Sequence, residues 1–274
     1  MSEPSNGGVR WERHVVDEAS KKWAALVTLD RPESLNPIDS EVLRTLDAIL
    51  DDVVAEPGCC CVLVTGAGRA FSAGGDLKGY IELQRDPVRF PRFVAYLHQV
   101  FGRLRLLPFP VVALVNGVTA AGGLELLLNC DLALVARSAR VGDGHLNFGQ
   151  MGGGGVLTLL PRAIGPARAA ELIFSGRFLS AVEAVEYGLA ARVVEDHELV
   201  AEGLAFAGAV AAKSPLAVAN AKEILQALWS ANGDIDAGLR LERERTAYYA
   251  LTSHDAPEGL RAFADKRTPR FEGR

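Results

Sequence analysis

"VLVTGAGRAFSAGGDLKGY" (residues 62–80) and "VVALVNGVTAAGGLELLLNCD" (residues 111–131) follow the same plan. In each, an apolar run meets small residues, then a glycine pair. Unbroken apolar runs of this kind suit strands buried on both faces of a sheet. Glycines after such a strand let another group approach the main chain closely. The first N–H groups of a helix lack intrahelical partners and point outward. Two such turns in one chain can bring two N–H donors to a single oxygen atom. Stabilising an oxyanion requires this, each donor contributing about 3–4 kcal/mol in a transition state. The same glycines equally serve tight turns in which backbone packs on backbone.

Strands and helices alternate around these turns. "AALVTL" (24–29) reads as a strand stopped by Asp30-Arg31-Pro32, and "CCCVLVTG" (59–66) and "PVVALVNG" (110–117) as buried strands. Residues 40–56 carry apolar side chains at helical spacing, with Asp39 or Ser40 as N-cap and Pro57-Gly58 as stop. A short helix is expected over 124–129, then strands over 131–136 and 139–142. A helix over 156–165 is expected to be interrupted or ended near Pro161. Helices follow over 166–176 and 180–188, each closed by a glycine, and the pattern from 198 onward is wholly helical. These elements predict an α/β core (12–197) behind a flexible N-terminus (1–11), followed by an all-helical C-terminal segment (198–274).

The chain has 274 residues, 49% apolar and 23% charged, enough to close a sizeable core. A net charge of −5 argues against a nucleic-acid binder, which needs a basic surface. The N-terminus has no basic start followed by an apolar stretch, so it is not a secretory signal. Residues 106–124 carry no charge, but Pro108, Pro110, Asn116 and the glycine pair make strand, turn and helix start rather than a membrane span. Cys59, Cys60 and Cys61 are adjacent and alternate faces on a strand; with Cys130 they read as small apolar residues in a reducing, cytoplasmic setting. No cluster has metal-ligand spacing, and no G-x-S-x-G nucleophile turn is present.

"AFSAGGDL" (70–77) with "VNGVTAAGGLELLLNCDLALV" (115–135) resembles the crotonase superfamily, the enoyl-CoA hydratase/isomerase family. "SGRFLSAVEAVEYGLAARVV" (175–194), "SPLAVANAKEIL" (214–225) and "EGLRAFADKRTPRFEG" (258–273) resemble its later segments, in order. The resemblance implies a crotonase-like spiral of ββα turns, with C-terminal helices that pack subunits into a homotrimer or a dimer of trimers. It implies an acyl-CoA thioester substrate, coenzyme A entering as part of that substrate with no separate cofactor. By motif position the oxyanion hole is formed by Gly75 and Gly122. Ala73, Asp76, Leu77 and Lys78 lie on the substrate-facing segment, and Phe263 and Lys266 match positions that approach the CoA of a neighbouring subunit. Residues 77–97 are expected to shape the acyl pocket.

Polarising a thioester carbonyl serves many reactions, so the acid–base groups choose among them. Glu125 occupies the position of one hydratase glutamate, where the helix dipole favours the carboxylate and burial opposes it. The second glutamate position falls on His145, counting from Ala139. This departs from the two-glutamate pattern. Asp143 can orient His145 or act itself if both face one side of an extended segment. Asn147 and Gln150 are further pocket candidates, whereas His14, His98, His197 and His254 lie outside the motifs. The run "GGGG" at 152–155 has no Gly-Lys-Ser/Thr after it and is not a phosphate loop; it gives a helix room to start. The expected activity is an enoyl-CoA hydratase/isomerase with Glu125 as main acid/base and His145 assisting. Two alternatives remain: a CoA-dependent C–C hydrolase using His145 with Asp143, and a catalytically weak acyl-CoA-binding oligomer.

Overall fold

Among the described residues, ten strands make two sheets. The computed structural model describes residues 7–230 and 235–274, without the side chains of residues 77, 78, 230, 235–238, 241, 263 and 264. Strand β1 (Val9–Asp17) runs antiparallel to β2 (Lys22–Leu29), so residues 9–11 of the N-terminal stretch belong to a strand. Val9 packs in the core, but most of β1 is only half covered, as at a sheet edge, and its charged residues mask the strand signal. Residues 1–6 lie outside the described residues.

The large sheet continues in parallel through β3 (Cys59–Gly66), β5 (Val111–Val115), β7 (Leu132–Ala136) and β10 (Arg192–Val194). The second sheet holds β4 (Ala70–Ser72), β6 (Val118–Ala120) and β8 (Arg140–Gly142) in parallel, closed by antiparallel β9 (Leu179–Ser180). After the β1–β2 hairpin, three successive turns of chain each place one strand in each sheet and then one or two helices. After β3 and β4 come α2 (Leu77–Gln84) and α3 (Arg89–Leu106); after β5 and β6 comes α4 (Gly122–Leu128). After β7 and β8 come α5 (Val156–Ile164) and α6 (Pro166–Ser175). The expected α/β spiral of ββα turns is therefore what the chain forms. Residues 106–124 run from the end of α3 through β5 and β6 into α4, and no single helix among the described residues is long and apolar enough to cross a membrane.

Local chemistry explains the borders. Asp39 caps α1 (Ser40–Ala55), its carboxylate accepting from the N–H of Glu41 and of Val42 at 2.9 Å each. Ser180 and Glu183 form a capping box at α7 (Ala181–Glu186). One expectation fails at Pro161: α5 runs through it to Ile164. The proline removes one helical hydrogen bond, but Val156, Leu159, Leu160 and Ile164 share a buried face whose packing holds the helix. Within β3, Cys60 and Cys61 are buried, and burial pushes the Cys59 thiol up to about 12 and that of Cys60 to about 11. The four free cysteines therefore remain thiols.

The C-terminal part comprises α8 (Leu199–Ala211), α9 (Pro215–Ser230), α10 (Ile235–Thr252) and α11 (Asp255–Ala264). Helix α8 packs across β1, β2, β3, β5 and β7, so packing shows no seam at residue 198. Helix α9 is pinned by Lys222. Its buried ammonium donates to Leu104 O at 3.0 Å and Phe109 O at 2.9 Å, and pairs with Asp131 at 2.6 Å. Burial pulls its pKa down, against the attraction of Asp131. Lys222→Ala strands a half-buried carboxylate and two carbonyls, and is expected to cost about 3–5 kcal/mol in denaturant unfolding.

Candidate active site

The two glycine turns meet. Gly74 has φ 107°, and a Cβ there would stand 2.8 Å from the Ala121 Cβ and 3.4 Å from Gly122 N. Ala121 holds φ 48° and ψ −118°, rare for a residue with a Cβ, and its N–H donates to Asp143 O at 2.7 Å. The Ile38 N–H donates to Gly74 O at 2.8 Å and ties the first turn to the residues before α1. Helix α4 begins at Gly122 itself, earlier than the apolar run indicated, so this N–H stands outside the helical ladder. Neither the Gly75 nor the Gly122 N–H has a backbone partner among the described residues.

A cavity of about 650 Å³ opens over this junction. Ala73, Gly75, Asp76, Gly122, Glu125, His145, Asn147 and Gln150 all line it. Its apolar wall includes Ile38, Phe93, Leu97, Met151 and Phe178. Residues 77–97 supply Tyr80, Phe93 and Leu97, as expected of a segment that shapes the pocket.

Glu125 sits on the first turn of α4 and is 1% exposed. Its carboxylate accepts from the Gly154 N–H at 2.6 Å and the Val156 N–H at 3.4 Å. A Cβ on Gly154 would stand 2.5 Å from Oε2 and 2.8 Å from Cδ. The glycine run therefore does more than give α5 room: it cradles the Glu125 carboxylate. Burial, the dominant influence, raises the Glu125 pKa against the His145 charge and the two N–H bonds.

Asp143 and His145 do not share an extended segment. Gly144 turns the chain at φ 68°, and His145 opens a 3-10 turn (His145–Phe148). The turn brings His145 Nδ1 to 2.7 Å from Asp143 Oδ1, with Asp143 buried behind it. Burial disfavours the imidazolium, but the Asp143 hydrogen bond and the Glu125 charge outweigh it, so the His145 pKa is raised. With Nδ1 engaged, Nε2 is the ring nitrogen left for a ligand.

The other candidates divide. Asn147 lines the cavity but donates through Nδ2 to Gly176 O at 3.0 Å, a bond that fixes the turn. Gln150 accepts from Gln84 Nε2 at 2.6 Å, linking the turn to α2. Asp76 accepts at its carbonyl from the Tyr80 N–H at 2.8 Å, starting α2. The side chains of Leu77, Lys78 and Phe263 lie outside the described residues. Lys266 is exposed and does not line the cavity of its own chain. None of the other four histidines lines it either. Among the described residues no group of three His, Cys, Asp or Glu side chains is placed to hold a metal. Sequence reasoning missed the Gly154 N–H, Tyr80 and Phe178, for which no motif gives a signal.

The profile of the enoyl-CoA hydratase/isomerase family matches residues 20–274. The chain belongs to that family. A Bacillus subtilis protein named as an enoyl-CoA hydratase/isomerase is 36% identical over 251 residues, covering 91% of this chain and 94% of its own. A short-chain-enoyl-CoA hydratase of Clostridium acetobutylicum is 32% identical over 244 residues, 89% of this chain and 92% of its own. The crystal structure of an enoyl-CoA hydratase from Bacillus anthracis superposes with a TM-score of 0.88 at 33% identity, covering 97% of this chain and 100% of that one. Family members act on acyl-CoA thioesters, and this chain is an acyl-CoA enzyme of the hydratase/isomerase type. It carries the crotonase fold.

Proposed function

We propose that the cavity holds an acyl thioester with its carbonyl oxygen between the Gly75 and Gly122 N–H groups, and that Glu125 and His145 move the protons. One observation carries this reading. Gly75 and Gly122, whose main-chain N–H groups have no backbone partner among the described residues, line one cavity with Glu125 and the Asp143-braced His145. In hydration, a water oxygen bonds to the β-carbon while Glu125 accepts the water's proton. The electron pair of the C=C bond moves into the thioester as an enolate, whose charge the two N–H groups stabilise. The imidazolium of His145 gives a proton to the α-carbon, and the carbonyl reforms. Proton return from Glu125 to His145 through solvent resets the site. Raised pKa values suit both roles: a more basic carboxylate, and an imidazolium that survives nearer neutrality.

Ala73, Asp76, Leu77 and Lys78 follow the thioester along the entry segment, and Phe263 and Lys266 reach the CoA of a neighbouring subunit in a homotrimer or dimer of trimers. CoA arrives with the substrate, and the enzyme works in the cytoplasm without a separate cofactor.

The 2.7 Å Asp143–His145 bond also favours a second reading, a C–C hydrolase. There His145 takes a proton from water, whose oxygen bonds to the β-carbonyl carbon of a β-ketoacyl thioester. The Cα–Cβ bond breaks, its electron pair forms the enolate, and His145 returns the proton to the α-carbon.

A panel of enoyl- and β-ketoacyl-CoA thioesters separates the readings. Native protein is expected to hydrate an enoyl-CoA, and His145→Ala to lose about 10²-fold or more in kcat. Cleavage of β-ketoacyl-CoA alone selects the hydrolase. Tight CoA binding with no turnover of any thioester leaves only a binding oligomer.

Asp143→Asn tests the brace. Losing the Asp143 charge lowers the His145 pKa, so the alkaline limb of the pH–rate profile moves to lower pH. The stability follows the same sign. A raised histidine pKa contributes stability below the unfolded value and loses it as pH rises through the folded one. The variant loses this contribution, which unfolding midpoints across that range measure.

A further inference from the structure

We infer that Tyr80 recognises an oxygen at the β-carbon of the acyl group, favouring 3-hydroxyacyl-thioesters and holding the water that attacks an enoyl-thioester. The inference rests on the reading of the site proposed above. Tyr80 lies on α2 and lines the cavity. Its ring is fixed edge-on by Phe90 and Phe93, with centroids 5.9 Å and 5.5 Å away and interplanar angles of 80° and 87°. The same ring lies over the first glycine turn. A Cβ on Gly75 would stand 2.9 Å from Tyr80 Cε2 and 3.5 Å from Cζ. The Cδ2–Cε2 edge of the ring, which leads to the phenol carbon, is therefore beside the group proposed to hold the thioester oxygen, and the β-carbon is two bonds from the thioester carbonyl carbon.

The hydroxyl has no hydrogen-bond partner among the described residues. Buried tyrosine hydroxyls normally find one. This hydroxyl belongs to a half-buried side chain on the cavity wall, where an oxygen of a bound acyl group can pair with it. Burial and the negative charge of Glu125 push the phenol up to about 12, which keeps it a neutral donor. An acyl group with oxygen at the β-carbon places that atom between Tyr80 and Glu125. The attacking water of hydration occupies the same place, and the 3-hydroxyl of the product replaces it. A saturated acyl chain offers the phenol nothing.

Tyr80→Phe keeps the ring against Gly75, Phe90 and Phe93 and removes only the hydroxyl. Calorimetric titration of the full chain compares 3-hydroxybutyryl-CoA with butyryl-CoA. Native protein is expected to bind the hydroxylated thioester about tenfold more tightly, and the variant to bind both alike. With crotonyl-CoA the variant is expected to lose about tenfold or more in kcat/KM. No preference in the native protein, or a preference kept by the variant, overturns the inference. So does a matching loss of butyryl-CoA binding, which would place the effect in ring packing. If native protein turns over no enoyl-CoA, the proposed function fails while the binding comparison still decides the role of Tyr80.

Discussion

Glu125→Gln lowers kcat on an enoyl-CoA by about 10²–10⁴-fold with little change in KM, the range set by general acid–base catalysis. The amide keeps the size of the side chain, and its oxygen can still accept from Gly154 N–H at the place where Oε1 does so at 2.6 Å. What disappears is the ability to take a proton. Stability moves the other way. The folded pKa of Glu125 is raised because burial disfavours the carboxylate. Between the unfolded and folded values the native state binds more protons than the unfolded chain, so stability falls as pH rises through that window. Glutamine does not titrate, and above the window the variant is expected to melt at or above the native midpoint. Loss of turnover without loss of stability separates a catalytic role from a structural one. Unchanged turnover would remove Glu125 from the mechanism.

Gly154→Ala is expected to cost about 10²-fold in kcat, because displacement of a reacting group by about 1 Å has that effect. The new methyl group cannot share space with the Glu125 carboxylate, whose Oε2 would stand 2.5 Å away. The carboxylate swings out or the glycine run shifts, and either weakens the Gly154 N–H bond. That bond opposes the rise in the Glu125 pKa caused by burial. Its loss moves the acid limb of the pH–rate profile to higher pH. Overpacking of this size costs about 1–3 kcal/mol of stability, a modest loss beside the kinetic one. Native kinetics in this variant would show that the cradle does not place the carboxylate.

Glu125 is legible in the sequence, and the Gly154 N–H that holds it is not. β3 matched its expected bounds at Cys59–Gly66, because a long apolar run between turn residues has one reading. α1 followed from apolar spacing and a capping aspartate. The second sheet left almost no trace: β4, β6 and β8 have three residues each and β9 has two, too few for periodicity. Glu125 and His145 came from motif position, and the structure places both on one cavity. The Gly154–Glu125 bond spans 29 residues and uses a main-chain N–H, which no side-chain pattern encodes. The Asp143–His145 pairing was anticipated, but its geometry was not, because the positive φ of Gly144 decides it. Tyr80 lay unmarked in a segment whose role was foreseen only in bulk.

The buried Lys222 also bears on modularity. Asp131 follows shortly after α4 and accepts from the Val111 N–H at 2.7 Å, so the ammonium of α9 balances a charge set between β5 and β7. A chain truncated at residue 197 would lose that balance and bare the strands beneath α8. The spiral could not then be grafted, shuffled or expressed as a free-standing cassette. Any recombination of this enzyme with a relative must keep a carboxylate at 131 opposite the ammonium at 222.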